Sequence, residues 1–233
     1  ARNKELFSIG FNRGVPTGPI TKIGAAPNRR GTSVNFHPDE QIFGKQKFKP
    51  KRLFTMARSK AYLFSGVEIR WKSEIEDGDM PMEATFKFPG GLADYLNETL
   101  ENVTTYADAP FAGKVTFQEK FGEPGSVEWA INWTPARDGS IQSYCNTVPT
   151  PEGGTHVAGF WAAVLKGIKA YGELVSNKKA AQITRDDLMS GGCALVSCFI
   201  RDPQFVGQTK DRLSTEAAQR MVENSVRDYF DTW

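Results

Sequence analysis

An α+β fold is what this chain of 233 residues predicts, on three observations. Short alternating runs broken by Gly- and Pro-bearing turns occur in two separate stretches. Segments with apolar residues spaced three and four apart follow each stretch. An irregular polar segment, "ENVTTYADAP", lies between the two sets. We therefore expect two domains, 1–102 and 103–233.

Within residues 4–36 the runs "ELFSIGFN", "PITKIG" and "TSVNF" read as a strand meander turning at "RGVPTG" and "PNRRG". From Lys49 to Phe64 the apolar residues Leu53, Met56, Ala57, Ala61 and Phe64 mark an amphipathic helix, with Pro50 in its first turn and Gly66 ending it. "VEIRW" and "ATFKF" pair around the polar turn "EDGD", and "GGLADYLNETL" is a short helix. In the second set, "GKVTFQEKF", "SVEWAINWT" and "SIQSYCNTV" are expected to form a three-stranded antiparallel meander through "GEPG" and "ARDG". After "PTPEGG", a helix carries Val157, Phe160, Trp161, Val164, Leu165, Ile168 and Tyr171 as a stripe. The apolar run "CALVSCFI" is a strand. A last helix places Ala218, Met221, Val222, Val226, Tyr229 and Trp233 on one side.

Composition excludes more than it selects. Twenty-nine basic against 27 acidic residues leave a formal net charge of +2, so the overall charge argues for neither nucleic acid nor an anionic membrane surface. No run of about 18 apolar residues is present to span a bilayer, and the N-terminus lacks the pattern of a signal peptide, so a cytoplasmic protein is expected. Cys145, Cys193 and Cys198 form no C-x-x-C pair and read as reduced core thiols, and His37 and His156 stand far from them, which disfavours a zinc site. The chain starts at Ala1 within a strand-like run, which suggests a piece of a longer polypeptide.

Four stretches could carry chemistry. In "FVGQTKDRLS", Gly207 allows close backbone approach, the Gln208 amide can donate to a phosphate oxygen, and Lys210 supplies a compact charge; a solvated turn accounts for the same residues. In "RRGTSVNFHPD", Gly31 and the Thr32 hydroxyl could border a heterocycle, with Val34 and Phe36 on the same strand face as Thr32, although any sheet is built this way. Seven basic and no acidic residues lie from Lys45 to Lys60, suiting a solvated helix face or a nucleic-acid groove. Lys166, Lys169, Lys178 and Lys179 could follow a phosphate backbone or simply keep a surface wet. Asp186 and Asp187 suit a helix N-terminus and receive no catalytic role. Neither a G-x-x-x-x-G-K-[ST] loop nor a G-x-S-x-G elbow occurs.

Read in order, "GTSVNFHPDEQIFG", "LFSGVEIRW", "FKFPGGLADYLN", "EGGTHVAGFWAAV" and "QTKDRLST" resemble the ATPase subunit of bacterial type IIA DNA topoisomerases across essentially the whole chain. "FHPDEQIFG" is more similar to the topoisomerase IV branch than to the gyrase branch. The resemblance implies the C-terminal half of a GHKL (Bergerat) α/β sandwich over 1–102, followed by a transducer domain with a fold like domain 2 of ribosomal protein S5. It implies ATP and Mg2+ as cofactors, Mg2+ being held mainly by residues upstream. Gly31, Thr32 and Val34 would border the adenine pocket, which ATP-competitive inhibitors of the family also enter. Gln208 and Lys210 would reach the γ-phosphate, with Lys210 as the catalytic contributor. ATP would thereby bridge two domains, and its turnover would become domain movement.

Implied partners are DNA, the topoisomerase IV A subunit and a second copy of the ATPase subunit, with no membrane. A non-enzymatic S5-like module binding RNA or protein is the alternative from a different class. Three departures bear on the resemblance. The general-base glutamate, the metal-binding asparagine and the glycine-rich lid would lie before Ala1, so this piece alone is expected to bind ATP poorly and not hydrolyse it. Ser8 stands where gyrase-like relatives carry arginine. Trp161 stands where an arginine usually faces the DNA cavity, which weakens electrostatic contact by that helix.

Overall fold

The computed structural model describes residues 1–117, 124–136 and 138–233. The end of "GKVTFQEKF", the first half of "GEPG" and Arg137 of "ARDG" lie outside the described residues. The chain divides into two compact units, Ala1–Lys49 and Pro50–Trp233.

In the first unit, β1 (Glu5–Ser8) pairs antiparallel with β4 (Thr21–Ala25), and β2 (Phe11–Asn12) pairs with β3 (Val15–Pro16). Arg13 and Gly14, at φ 50° and 79°, turn the β2–β3 hairpin. Positive φ at both central residues suits the right-handed twist of the flanking strands. The short helix α1 (Glu40–Phe43) is capped by the Asp39 carboxylate, which accepts from the Gln41 N–H at 2.8 Å.

"TSVNF" is not a strand. Residues 32–39 have no regular structure and, among the described residues, no ladder partner, and Val34 is 78% and Phe36 70% exposed. Alternation in a sequence yields a strand only where a neighbouring edge takes up its N–H and C=O groups. The expectation of one strand face for Thr32, Val34 and Phe36 is corrected accordingly.

The second unit is layered about a five-stranded sheet. It comprises α2 (Pro50–Leu63), β5 (Glu68–Lys72), β6 (Glu83–Lys87), α3 (Leu92–Thr99), β7 (Phe111–Phe117), β8 (Gly125–Trp133), β9 (Ser140–Cys145), β10 (Val148–Pro149), α4 (Thr155–Leu174), α5 (Arg185–Met189), β11 (Gly192–Ile200) and α6 (Glu216–Phe230). A 3₁₀ turn, Lys178–Gln182, lies between α4 and α5. The strand order is β10-β9-β11-β8-β7, with β11 antiparallel to β8 and parallel to β9.

The expected meander of three sequential strands is therefore corrected: β8 and β9 are not neighbours, because β11 lies between them. Burial gives the reason. Residues 192–198 of β11 are all buried, and a strand apolar on both faces is best accommodated at the centre of a sheet.

Alternation of side chains sorts the two faces. Val127, Trp129 and Ile131 of β8 and Ala194, Val196 and Cys198 of β11 join Phe160, Trp161 and Val164 of α4 and Met221, Val222 and Val226 of α6 in one core. Ala130, Cys193, Leu195 and Tyr144 face the other way, into a second core with Ala61, Tyr62 and Leu63 of α2, Phe86 of β6, and Leu92 and Leu96 of α3. At that second face the Tyr62 and Tyr144 hydroxyls lie 2.5 Å apart, and burial raises both phenol pKa values above the ordinary range. Lys60 Nζ donates to the Thr147 carbonyl at 2.8 Å, and burial lowers its pKa. Glu128 Oε1 accepts from the Leu92 N–H at 2.8 Å, at the start of α3.

Some positions of the expected apolar stripes are exposed. Met56 on α2, Tyr171 on α4, and Tyr229 and Trp233 at the end of α6 reach solvent, while Phe230 turns inward. The three cysteines are buried and free. Asp187 forms a capping box with Thr184 at the start of α5, as its place before an apolar run suggested.

The α4–α6 contact depends on Gly159, where an added Cβ would overlap the Gln219 carbonyl oxygen. Gly159→Ala forces the helices apart. It is expected to destabilise the protein by about 2 kcal/mol, strain outweighing the better helix propensity of alanine. Urea denaturation measures it, and a midpoint equal to wild type would show that the helices separate freely.

Candidate functional site

The loop between β11 and α6 has ordered arms and a projecting tip. The Val206 N–H donates to the Arg212 carbonyl at 2.9 Å, and the Ser214 N–H to the Gln204 carbonyl at 2.8 Å. The Thr215 hydroxyl accepts from the Gln204 N–H at 2.8 Å, fixing the loop to the start of α6. Between these arms Gly207 sits at φ 75° and Lys210 at φ 62°. Glycine adopts this region freely, whereas lysine there costs about 1 kcal/mol, which the closed arms sustain.

Gln208 and Lys210 are both exposed at this tip. Lys210 Nζ lies 5.8 Å from the Phe205 ring centroid, and among the described residues it has no carboxylate within ion-pair distance. A compact cation on an exposed tip, resting on a ring face and bound to no anion, is available to an incoming phosphate.

What holds the tip is the segment before α4. The Glu152 N–H donates to the Asp211 carbonyl at 3.0 Å, the Leu213 N–H to the Gly153 carbonyl at 3.0 Å, and the Thr155 N–H to the Leu213 carbonyl at 3.1 Å. Gly154, at φ 130°, lets the two chains approach this closely, since a Cβ there would overlap the Leu213 backbone. "EGGTH" is thus hydrogen-bonded to Asp211 and Leu213, which follow just after "QTK". Their spacing in sequence carries no sign of this, because the bonds are made by backbone groups.

Three buried polar side chains lie under this junction, and the sequence reading assigned them nothing. His156 is fully buried; its Nε2 is 3.2 Å from the Thr150 hydroxyl, which is 2.8 Å from the Ser143 hydroxyl. Burial lowers the His156 pKa to about 4, so the ring is neutral at pH 7.

Gly31, Thr32 and Val34 belong to the first unit, and all three are exposed. Gly31 is at φ 113°, and its carbonyl accepts from the N-terminal amine of Ala1 at 2.6 Å. Val34 helps to line a cleft of about 840 Å3 with Phe11, Phe36, His37, Ile42 and Phe43, whereas Gly31 and Thr32 lie outside that lining. Arg13 pairs with Asp39 at 2.9 Å at the same cleft, an ion pair not anticipated from sequence.

Trp161 is 1% exposed and sits in the main core against Phe160, as its place in the apolar stripe predicts; the cavity-facing position that the resemblance implies is corrected. Burial of the large ring in the main core outweighs leaving its indole N–H without a hydrogen-bond partner among the described residues. Of the basic residues on and after α4, Lys166 pairs with Glu223, while Lys178 and Lys179 are exposed. In the basic run before and along α2, Arg58 pairs with Glu98 and Lys60 is tied to Thr147, which leaves a smaller free charge than the sequence suggests.

Among the described residues no helix is long and apolar enough to cross a membrane. Nor does any group of three or more His, Cys, Asp or Glu side chains there lie in position to hold a metal ion.

The second unit is thus a layered α/β structure in which the loop carrying Gln208 and Lys210 is bonded, through Asp211 and Leu213, to the Gly-Gly start of α4. The family model described as DNA gyrase B matches residues 91–233, and the chain belongs to that family. Within it, the chain is 54% identical over 231 residues to the B subunit of DNA topoisomerase 4 from Caulobacter vibrioides, covering 96% of this chain and 32% of that protein. It is 50% identical over 238 residues to the protein of the same name from Bartonella bacilliformis, covering 100% and 34%.

Among solved structures, the 43K ATPase domain of Thermus thermophilus gyrase B in complex with an aminocoumarin matches with a TM-score of 0.78 at 30% identity, covering 99% of this chain and 61% of that one. The topoisomerase IV ATP-binding domain of Francisella tularensis, in complex with a small-molecule inhibitor, matches with a TM-score of 0.75 at 27% identity, covering 100% and 61%. The chain spans about a third of the length of the curated relatives it matches. The mixed α/β architecture is that of the gyrase B and topoisomerase IV ATPase domains.

Proposed function

We propose that the chain is the ATP-gate portion of a type II DNA topoisomerase of the topoisomerase IV type, coupling ATP binding and hydrolysis to closure of a dimer gate and to DNA strand passage. The observation that carries this reading is the loop tip: an exposed lysine without a counter-ion among the described residues, at a strained backbone angle, beside Asp211 and Leu213, which are bonded to the "EGG" segment. The names of the relatives support the same reading.

In it, residues 103–233 act as the transducer. Gln208 donates an amide hydrogen bond to the γ-phosphate, and Lys210 places positive charge against it. Charge fixed in advance at the transferred phosphoryl group lowers the barrier, and loss of that group releases the loop. Gly31, Thr32 and Val34 border the adenine. Mg2+ would accompany the nucleotide and neutralise phosphate charge; among the described residues no group of three or more His, Cys, Asp or Glu side chains is placed to hold it. DNA, the topoisomerase IV A subunit and a second copy of the ATPase subunit are the partners, which places the protein with the nucleoid in the cytoplasm.

Amide exchange on the intact subunit tests the loop assignment. A non-hydrolysable ATP analogue should slow exchange at Gly207 to Lys210, and ADP should not. Equal protection by the two nucleotides would reject a γ-phosphate contact.

A further inference from the structure

The buried polar chain under the "EGG" segment runs in one direction. Ser143, Thr150 and His156 are 5%, 1% and 0% exposed. Ser143 Oγ is 2.8 Å from the Thr150 carbonyl, which can only accept, so the serine proton goes there. The 2.8 Å bond between the two hydroxyls must then be donated by Thr150. With its own proton used, the Thr150 oxygen accepts at 3.2 Å from His156, whose ring carries its proton on Nε2. Three protons serve three bonds in one order. His156 Nδ1 is left as a bare acceptor without a partner among the described residues.

The same threonine shapes the turn above. Its carbonyl also accepts from the Gly153 N–H at 2.8 Å, and its N–H donates to the Ser143 carbonyl at 2.8 Å. That turn presents the Glu152 N–H and the Gly153 carbonyl to Asp211 and Leu213, on the C-terminal side of Lys210. The chain therefore runs from β9, through Thr150, to the arm of the Gln208–Lys210 loop.

We propose that Ser143, Thr150 and His156 form a buried latch that positions the Gln208–Lys210 loop, and that Thr150 and His156 are positioning residues for its phosphate contact. This rests on the assignment of that loop to the γ-phosphate. Apolar side chains of the same volume would fill the space without the cost of desolvating three polar groups, but they would leave the 150–153 turn free to shift.

Thr150→Val in the intact subunit tests the latch, since it removes the hydroxyl at nearly constant volume. Loss of a buried bond and its partner's satisfaction predicts that kcat for ATP falls about tenfold, with KM within about twofold, and that exchange of the Gly153 and Leu213 amides quickens about tenfold. Thr150→Ser should restore both. In a Lys210→Ala background, Thr150→Val should lower the rate no further. Wild-type kcat and unchanged exchange in a folded Thr150→Val protein would overturn the latch, as would a lowered melting temperature with kcat intact. Should Thr150→Val fail to fold, Ser143→Ala takes its place, expected to show the same pattern at smaller size and overturning the latch if it does not. Full turnover in Lys210→Ala alone would instead remove the phosphate assignment, with amide exchange still deciding whether Thr150 anchors the loop.

Discussion

Lys210→Ala in the intact subunit should lower ATP turnover by about 100- to 1000-fold, the scale on which removing one preorganised stabilising group raises a barrier. ATP-dependent strand passage should be lost with it. The fold should be indifferent, because the side chain is exposed and has no carboxylate partner among the described residues. Lys210→Gly serves as a control. It removes the charge and also relieves the φ 62° strain, so its stability should rise by up to about 1 kcal/mol while activity stays absent. Steady-state hydrolysis and thermal melting of both variants check this pair. Turnover near wild type in either one would show that the lysine does not stabilise the transferred group.

Acid should weaken the protein through His156. The folded state holds this ring neutral down to about pH 4, against an ordinary value of 6.5, and the cause is burial. Between those values the unfolded chain carries a proton that the folded chain excludes, so unfolding takes up a proton and stability falls as pH falls. Above about pH 6.5 the contribution is complete; across the window the loss reaches about 3 kcal/mol. Carboxylates also titrate near the lower end, so the informative quantity is the difference between wild type and His156→Gln, whose amide can still donate to Thr150. Urea unfolding at pH 7 and pH 5 should show a steeper decline for wild type. Equal slopes would place His156 in contact with solvent.

Local chemistry was legible where backbone and side chain speak for themselves. The amphipathic periodicities of α2, α4 and α6, the turn at Arg13 and Gly14, and the cap at Asp187 follow from residue types within a few positions of one another. The phosphate-type character of Gly207, Gln208 and Lys210 could also be read from the residues, although a solvated turn reads the same way. What sequence could not supply was a partner. "TSVNF" alternates like a strand and pairs with no edge among the described residues, while "CALVSCFI" displaced the expected meander by taking the centre of the sheet.

Ser143, Thr150 and His156 show the same limit. No spacing rule joins them, because β9, the turn before α4 and the helix itself meet only once the sheet has formed. By itself, then, the sequence determined the helices α2, α3, α4 and α6 and the family the motifs belong to, while the short α1 went unread. Only the tertiary structure decided that the "EGG" segment is bonded to Asp211 and Leu213 beside the "QTK" tip, and that a neutral histidine lies beneath the loop. The physical reason is that hydrogen bonds between backbone groups and the burial of a side chain depend on what the folded chain brings alongside, and neither leaves a pattern in residue order.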